Sequence, residues 1–188
     1  MEAINSIDFS ILDFIQNTFR CGFLDAVFPF VGTITNAGLL WIAIAAGMLF
    51  FRKTRPAGVM MLAAMALGYL TGDLIIKHLV MRPRPFLVNT DFTLFIKAPS
   101  GYSFPSGHTT AAFASATVLF IKHRRAGIAA LAGAVIIAFS RLYCYVHYPS
   151  DVLCGIALGV LSAIVITVLF KKTRLDDKLS KIGSKNKS

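Results

Sequence analysis

Apolar residues run through this chain in long blocks, and the polar residues gather where the blocks end. Five runs of roughly 15 to 25 residues, at 33–51, 56–80, 106–121, 126–145 and 152–170, are the candidates at about 1.5 Å per residue to cross a hydrocarbon core of about 30 Å, the first and third being short. The pattern predicts an all-α fold, a polytopic membrane helical bundle of about five transmembrane helices. Ahead of it, 4–19 places Ile4, Ile7, Ile11, Phe14, Ile15 and Thr18 near one helical face, with Asn5, Asp8 and Asp13 interrupting the surface. This reads as an N-terminal amphipathic helix lying in the interface. A second short apolar piece, 23–31, carries Asp25 and Pro29 and is expected to dip into the bilayer without crossing. A sixth span over 4–30 is the rival reading, at the expense of burying Asp8, Asp13, Arg20 and Asp25 in lipid. The expected organisation is an interfacial segment at 1–32, a membrane core at 33–170 and a basic, disordered cytoplasmic tail at 171–188.

Small residues mark where helices approach closely: Ala64, Gly68 and Gly72 in the second run, Ala111, Ala112, Ala114, Ser115 and Ala116 in the third, Gly155 and Gly159 in the fifth. Composition agrees with the pattern. With 188 residues, 56% hydrophobic and 15% charged, and a mean hydropathy of +0.69, the chain is too apolar for an ordinary soluble domain. The formal charge of +10 does not point to nucleic acid, because the cations stand beside membrane runs. Arg52, Lys53 and Arg55 follow the first run, Lys122, Arg124 and Arg125 the third, and Lys171, Lys172, Arg174, Lys178, Lys181, Lys185 and Lys187 the fifth. All of these fall on one side of a five-span topology, which the positive-inside rule makes the cytoplasm. The N-terminus, the loop 81–105 and the turn around His147 then face outward, and the bilayer, including its anionic lipids, is the partner.

Chemistry concentrates at that outer side. Phe104-Pro105-Ser106-Gly107-His108-Thr109 opens the third run. A proline fits the first turn of a helix, and the free N–H groups and dipole of a helix start favour an anion there, beside the titratable His108. Asp73 and Lys77, one turn apart, form an acid and base pair at the end of the second run, with Lys77 free to do more. Arg82-Pro83-Arg84-Pro85 is a stiff loop whose guanidinium forks suit phosphate or carboxylate. Arg141 at the outer end of the fourth run needs a protein cavity and an anion. His147 is followed by Tyr148-Pro149-Ser150-Asp151, where Asp151 can hold one imidazole nitrogen and leave the other as nucleophile or base. The inventory of Lys77, Arg84, Ser106, Gly107, His108, Arg141, His147 and Asp151 is that of phosphoryl transfer without an obligatory metal or other cofactor.

Lys77, six residues, Arg84-Pro85; then Pro105-Ser106-Gly107-His108; then Ser140-Arg141, five residues, His147, three residues, Asp151: the set resembles the three-part signature of the type 2 phosphatidic acid phosphatase superfamily. The resemblance covers 77–151. It implies that Lys77, Arg84 and Arg141 hold phosphate with the Ser106 and Gly107 region, that His147, oriented by Asp151, attacks phosphorus to form a phosphohistidine, and that His108 protonates the leaving group. It further implies a membrane lipid substrate, a polyprenyl and especially undecaprenyl diphosphate by likeness to short bacterial members, with phosphatidylglycerol phosphate and phosphatidic acid as alternatives. Integral members commonly have six spans, a departure that concerns the first helix. The alternative of another class is a lipid-phosphate binding or translocating protein without turnover. The motifs do not give the oligomeric state. His78 and His123 stand outside the signature, and Cys21, Cys144 and Cys154 read as packing residues.

Overall fold

The computed structural model describes residues 2–181 and is helical throughout. In chain order the helices are α1 (Glu2–Phe19), α2 (Gly22–Ile34), α3 (Leu39–Leu49), α4 (Arg55–Tyr69), α5 (Lys77–Val80), α6 (Pro85–Val88), α7 (Gly107–Lys122), α8 (Arg124–Tyr143), α9 (Pro149–Thr173) and α10 (Leu175–Lys181). A π-helical segment, Leu70–Ile76, joins α4 to α5.

The third run forms the axis of the bundle. α7 packs against α4, α8 and α9, and its inward positions are small: Thr109, Thr110, Ala112, Ala114, Ser115 and Ala116 are all buried. α9 presses on it through glycines. A methyl group at Gly159 would sit 2.5 Å from the Thr110 carbonyl oxygen and 2.9 Å from the Ala114 nitrogen, and one at Gly155 would sit 2.8 Å from the Ser106 carbonyl oxygen. Around this contact Trp41, Met60, Met61, Met65, Phe113, Val118, Leu119, Ile137 and Val152 complete the main core. Leu153, Leu161 and Val168 of α9 and Val135 of α8 are exposed, as expected for faces in contact with hydrocarbon.

Fewer segments than the expected five qualify as crossings by length and hydropathy alone. Three segments are long and apolar enough to cross a membrane, Arg55–Val88, Arg124–Tyr143 and Pro149–Thr173, and a fourth is obtained if the bent pair Gly22–Ile34 and Asn36–Leu49 is one span. α7 has 16 residues, about 24 Å of helix, and is shorter than a hydrocarbon core. The run 33–51, read as one helix, is broken at Asn36-Ala37-Gly38, where Ala37 (φ 49°) and Gly38 (φ 73°) are left-handed, and α2 and α3 meet at 46°. α2 is thereby part of the bundle and packs on α8.

α1 is a helix, as expected, and it also buries a face that carries an acid. Asp8, Leu12 and Ile15 are buried, while Ile7, Ile11 and Phe14 are exposed. The acids that seemed to interrupt its apolar surface have partners on the turn between α8 and α9. Asp8 accepts from the Ser150 N–H at 3.0 Å, and Asp13 Oδ1 lies 3.1 Å from the Tyr145 hydroxyl. Tyr143 donates to Asp25 of α2 at 2.6 Å, and Gln16 donates to the Tyr143 carbonyl at 2.8 Å. The two N-terminal helices thus grip the segment that carries His147.

The tail also departs from expectation. α9 continues to Thr173, and α10 follows through a left-handed Arg174, with Asp176 paired to Lys122; the remainder of the expected disordered segment, 182–188, lies outside the described residues. Lys53, Lys122, His123 and Asp176 border one shallow pocket of about 280 Å³. The basic ends after α3, α7 and α9 therefore meet at one end of the bundle.

Candidate active site

The other polar cluster surrounds a cavity of about 1110 Å³. Six of the eight residues singled out from the sequence line it: Lys77, Arg84, Gly107, His108, Arg141 and His147. Each arrives by a separate local device. The Lys77 N–H reaches five residues back to the Gly72 carbonyl, the bond that closes the π segment, and its ammonium pairs with Asp73. Arg84, extended (φ −74°, ψ 153°) as a residue before proline should be, caps α6. His108 is the second residue of α7, and its Nε2 lies 3.3 Å from the Gly32 carbonyl oxygen. Arg141 stands in the last turn of α8, with Nε and Nη2 at 3.1 and 3.0 Å from Ser140 Oγ and Nη2 at 3.4 Å from the Phe28 carbonyl oxygen.

The turn after α8 brings Arg141 and His147 to the same cavity. The Val146 N–H donates to the Arg141 carbonyl at 3.2 Å, and Tyr145 takes a left-handed conformation at φ 58°. For a bulky residue this is strained, and the surroundings must hold it. Its ring stacks on Phe92 at 4.1 Å between centroids, and its hydroxyl meets Asn89 at 3.0 Å and Asp13. The loop after α6 supplies Phe92 and Asn89 for this purpose.

His147 is buried with both ring nitrogens placed. Nδ1 lies 2.8 Å from the Ser103 carbonyl oxygen and 3.5 Å from Asp151 Oδ2. A carbonyl can only accept, so Nδ1 carries the proton and the neutral ring presents the Nε2 lone pair. Nε2 is 3.3 Å from Arg84 Nη1. Burial pushes His147 down to about 4, against the opposing pull of its bond to Asp151, and the charges of Arg84 and Lys77 add to the depression. The imidazole is therefore neutral at physiological pH. Arg84 is fixed by three carbonyls, Gly101 at 3.0 Å, Val146 at 2.9 Å and Ser100 at 3.1 Å, which tie the loop to the His147 turn.

Ser106 and Asp151 lie behind the cavity wall, both fully buried. The Ser106 N–H donates to the Asp151 carbonyl at 3.2 Å, and Thr109 Oγ1 donates to Ser106 Oγ at 2.9 Å. The serine amide is thus engaged with the start of α9, while Gly107 faces the cavity. Asp73 closes over that glycine, with its Oδ2 2.9 Å from where a β-carbon would stand. His78 sits outside, exposed against Tyr102.

Sequence reasoning missed Gly32. A β-carbon there would lie 2.3 Å from Arg141 Nη2 and 2.6 Å from Nη1, so only glycine lets α2 pass this close to the guanidinium. Nothing in the sequence around Gly32 marks it, because its neighbour is more than a hundred residues away. Beyond the cations the cavity turns apolar, lined by Ile42, Leu62, Met65, Ala66 and Tyr69 of α3 and α4. A cationic floor with a neutral imidazole and an apolar flank suits the phosphorylated head of an amphiphile.

Relatives share this architecture. The chain is 34% identical over 122 residues to an undecaprenyl-diphosphatase of Sulfolobus acidocaldarius, covering 64% of this chain and 58% of that protein. It is 30% identical over 151 residues to undecaprenyl-diphosphatase BcrC of Bacillus subtilis, covering 78% of this chain and 73% of the relative. The alignment thus spans less than two thirds of the first relative's length and more than two thirds of the second's. Among solved structures, a transmembrane PAP2 type phosphatidylglycerolphosphate phosphatase from Bacillus subtilis superposes with a TM-score of 0.74 at 28% identity, over 92% of this chain and 88% of the other. The family model of the PAP2 superfamily matches residues 57–175, well over half of the sequence and the whole of the motif region, and the chain belongs to that superfamily.

Proposed function

We propose that this PAP2-type membrane lipid phosphatase removes the terminal phosphate of a polyprenyl diphosphate, of the undecaprenyl class. The observation that carries the reading is the His147 ring, neutral and with its unprotonated Nε2 turned to Arg84 at 3.3 Å. The terminal phosphoryl group sits among Arg84, Arg141 and Lys77 at the start of α7. Nε2 attacks phosphorus in line, the P–N bond forms, and the bridging P–O bond breaks with its electrons on the leaving oxygen. His108, protonated when the negative charge of the bound phosphate fills the cavity, delivers a proton to that oxygen. Water, giving its proton to the now neutral His108, then cleaves the phosphohistidine and releases inorganic phosphate, so that every atom is accounted for without a metal. Asp151 and the Ser103 carbonyl hold the proton on Nδ1 and orient the ring. The apolar flank takes the first part of the lipid chain.

The relatives named for undecaprenyl diphosphate favour this substrate, and the phosphatidylglycerolphosphate phosphatase of similar fold favours a glycerophospholipid monophosphate as the second reading. The five-crossing reading, with α7 as the short central helix, puts the cavity on the extracytoplasmic side and the Lys53 and Lys122 end in the cytoplasm. The test is phosphate release by purified protein in chelator, with undecaprenyl diphosphate, phosphatidylglycerol phosphate and phosphatidic acid compared. Turnover of the diphosphate at the highest kcat/KM, abolished in His147→Ala, and an acid-labile phosphoryl adduct on His147 are expected. Full activity of His147→Ala overturns the mechanism, an adduct on His108 exchanges the two histidines, and binding without release replaces the enzyme by a lipid-phosphate carrier. In intact cells an impermeant thiol reagent should reach a cysteine at Asn89 and not one at Ser184; the reverse inverts the topology.

A further inference from the structure

Arg82 is one of the six unspecified residues between Lys77 and Arg84 in the first motif segment and does not line the cavity. Its neighbour Arg84 faces the phosphate side, while Arg82 turns into a closed polar box behind His147. Nη1 donates to Asp151 Oδ1 and to Ser150 Oγ, both at 2.7 Å. Nη2 donates to Asp8 Oδ2 at 2.6 Å and to Asn5 Oδ1 at 2.8 Å. The guanidinium carbon lies 3.7 Å from the centroid of the Tyr148 ring. Asp8 in turn accepts from the N–H of Ser150 at 3.0 Å and from its hydroxyl at 2.5 Å. The side chains of Arg82, Asp8 and Asp151 are 14%, 4% and 0% exposed.

The geometry divides the Asp151 carboxylate. Oδ1 goes to Arg82, while Oδ2 accepts the Tyr148 N–H at 2.9 Å and faces His147 Nδ1 at 3.5 Å. A fully buried carboxylate needs a paired cation, and a planar fork can serve two acids in one orientation where an ammonium cannot. We infer that Arg82, locked by Asp8 of α1, is a positioning residue that sets the Asp151 carboxylate and through it the His147 imidazole, which makes the N-terminal helix a working part of the catalytic unit. This rests on His147 being the attacking group. The charged or titratable groups around that ring are Arg84, Lys77, Arg141 and His108 on the cavity side, Asp73 beside Lys77, and Asp151 with Arg82, Asp8 and Tyr148 behind.

The experiment compares Arg82→Gln, Arg82→Lys and Asp8→Asn with the full-length wild-type enzyme in detergent, on undecaprenyl diphosphate, with kcat, KM and the pH profile of kcat/KM. Arg82→Gln is expected to lower kcat by about 10- to 100-fold with KM changed less than about 3-fold, and Arg82→Lys to recover part of the loss. The two neutralising variants should move the acid limb in opposite senses. Without the Arg82 cation, Asp151 holds the imidazolium more strongly and the limb rises toward neutrality; without the Asp8 anion, Arg82 acts on Asp151 alone and the limb falls. The double variant should cost no more than Arg82→Gln, since the two act as a unit. Should Arg82→Gln not fold, Asp8→Asn, which preserves shape, still reads the kcat loss and the direction of the limb. Profiles that superimpose on the wild type, or limbs that move together, overturn the inference while His147→Ala remains inactive. A His147→Ala enzyme that keeps its activity removes the functional reading, and this inference with it.

Discussion

Replacing Gly32 by alanine separates activity from stability. The new methyl would stand 2.3 and 2.6 Å from the two terminal nitrogens of Arg141 and 2.9 Å from Cζ. Contact without overlap begins at about 3.4 Å, so the guanidinium must retreat by about 1 Å. It is the far end of a flexible side chain, so α2 and α8 need not yield, and alanine is favoured over glycine inside a helix by up to about 1 kcal/mol. Unfolding should therefore shift little, in either direction. Activity should not be spared. A misplacement of about 1 Å in a phosphate-holding cation costs on the order of 10²-fold, about 2.7 kcal/mol of transition-state stabilisation. The assay is phosphate release on the preferred lipid, with kcat/KM set against the thermal unfolding midpoint, and with Gly133→Ala as the control, since a β-carbon at Gly133 meets nothing within 4 Å. Wild-type kcat/KM in Gly32→Ala would refute the assignment of Arg141 to the phosphate. A collapse of the unfolding midpoint would show that backbone had moved in place of the side chain.

The acid limb of kcat/KM, corrected for substrate ionisation, should lie near pH 4 and not near 6.5, because burial holds His147 at about 4 and only the neutral ring attacks; a limb between pH 6 and 7 contradicts this. The same depression bears on stability. The unfolded chain takes up this proton at about 6.5 and the folded one only near 4, so the His147 contribution to stability falls as pH drops from about 6.5 to about 4 and is constant below. Denaturant midpoints followed across that window check the sign, with His147→Gln as the reference in which this component of the slope is absent. Gly159→Ala should behave unlike Gly32→Ala: its methyl would meet the backbone of α7 at 2.5 Å, so overpacking should destabilise the fold by about 1–3 kcal/mol, and an unfolding midpoint equal to wild type would refute the close α7–α9 packing.

The cavity was legible in the sequence to the extent that its residues depend on local rules. Lys77, Arg84, His108, Arg141 and His147 each stand at a helix end or beside a proline, where spacing and turn chemistry point them out, and they meet in one cavity. The eight cannot be told apart by this means, and Ser106 and Asp151 prove to stand behind the wall. The N-terminal third was much less legible. Asp8, Asp13 and Asp25 read as breaks in an apolar surface because their partners, Ser150, Tyr145 and Tyr143, are more than a hundred residues distant. The bend between α2 and α3 escaped notice since its cause is a pair of left-handed residues, Ala37 and Gly38, with no proline. Asn36-Ala37-Gly38 carried the available signal, as asparagine and glycine favour turns. The length of α7 was legible, the apolar run 106–121 and the helix Gly107–Lys122 differing by one residue at each end, and a helix enclosed on three sides by α4, α8 and α9 does not need to match the bilayer.

The π segment Leu70–Ile76 has a meaning for how this chain tolerates change in length. A π turn is an α turn holding one residue more than it needs. Removing a residue from 70–76 would let the helix return to ordinary winding with α4 and the residues from Lys77 onward keeping their facing, whereas a deletion in a regular α turn rotates everything downstream by about 100°. The spare residue thus lies where its loss would leave Lys77 at the cavity, and a single deletion within 70–76 should be far better tolerated than one in the regular turns of α4.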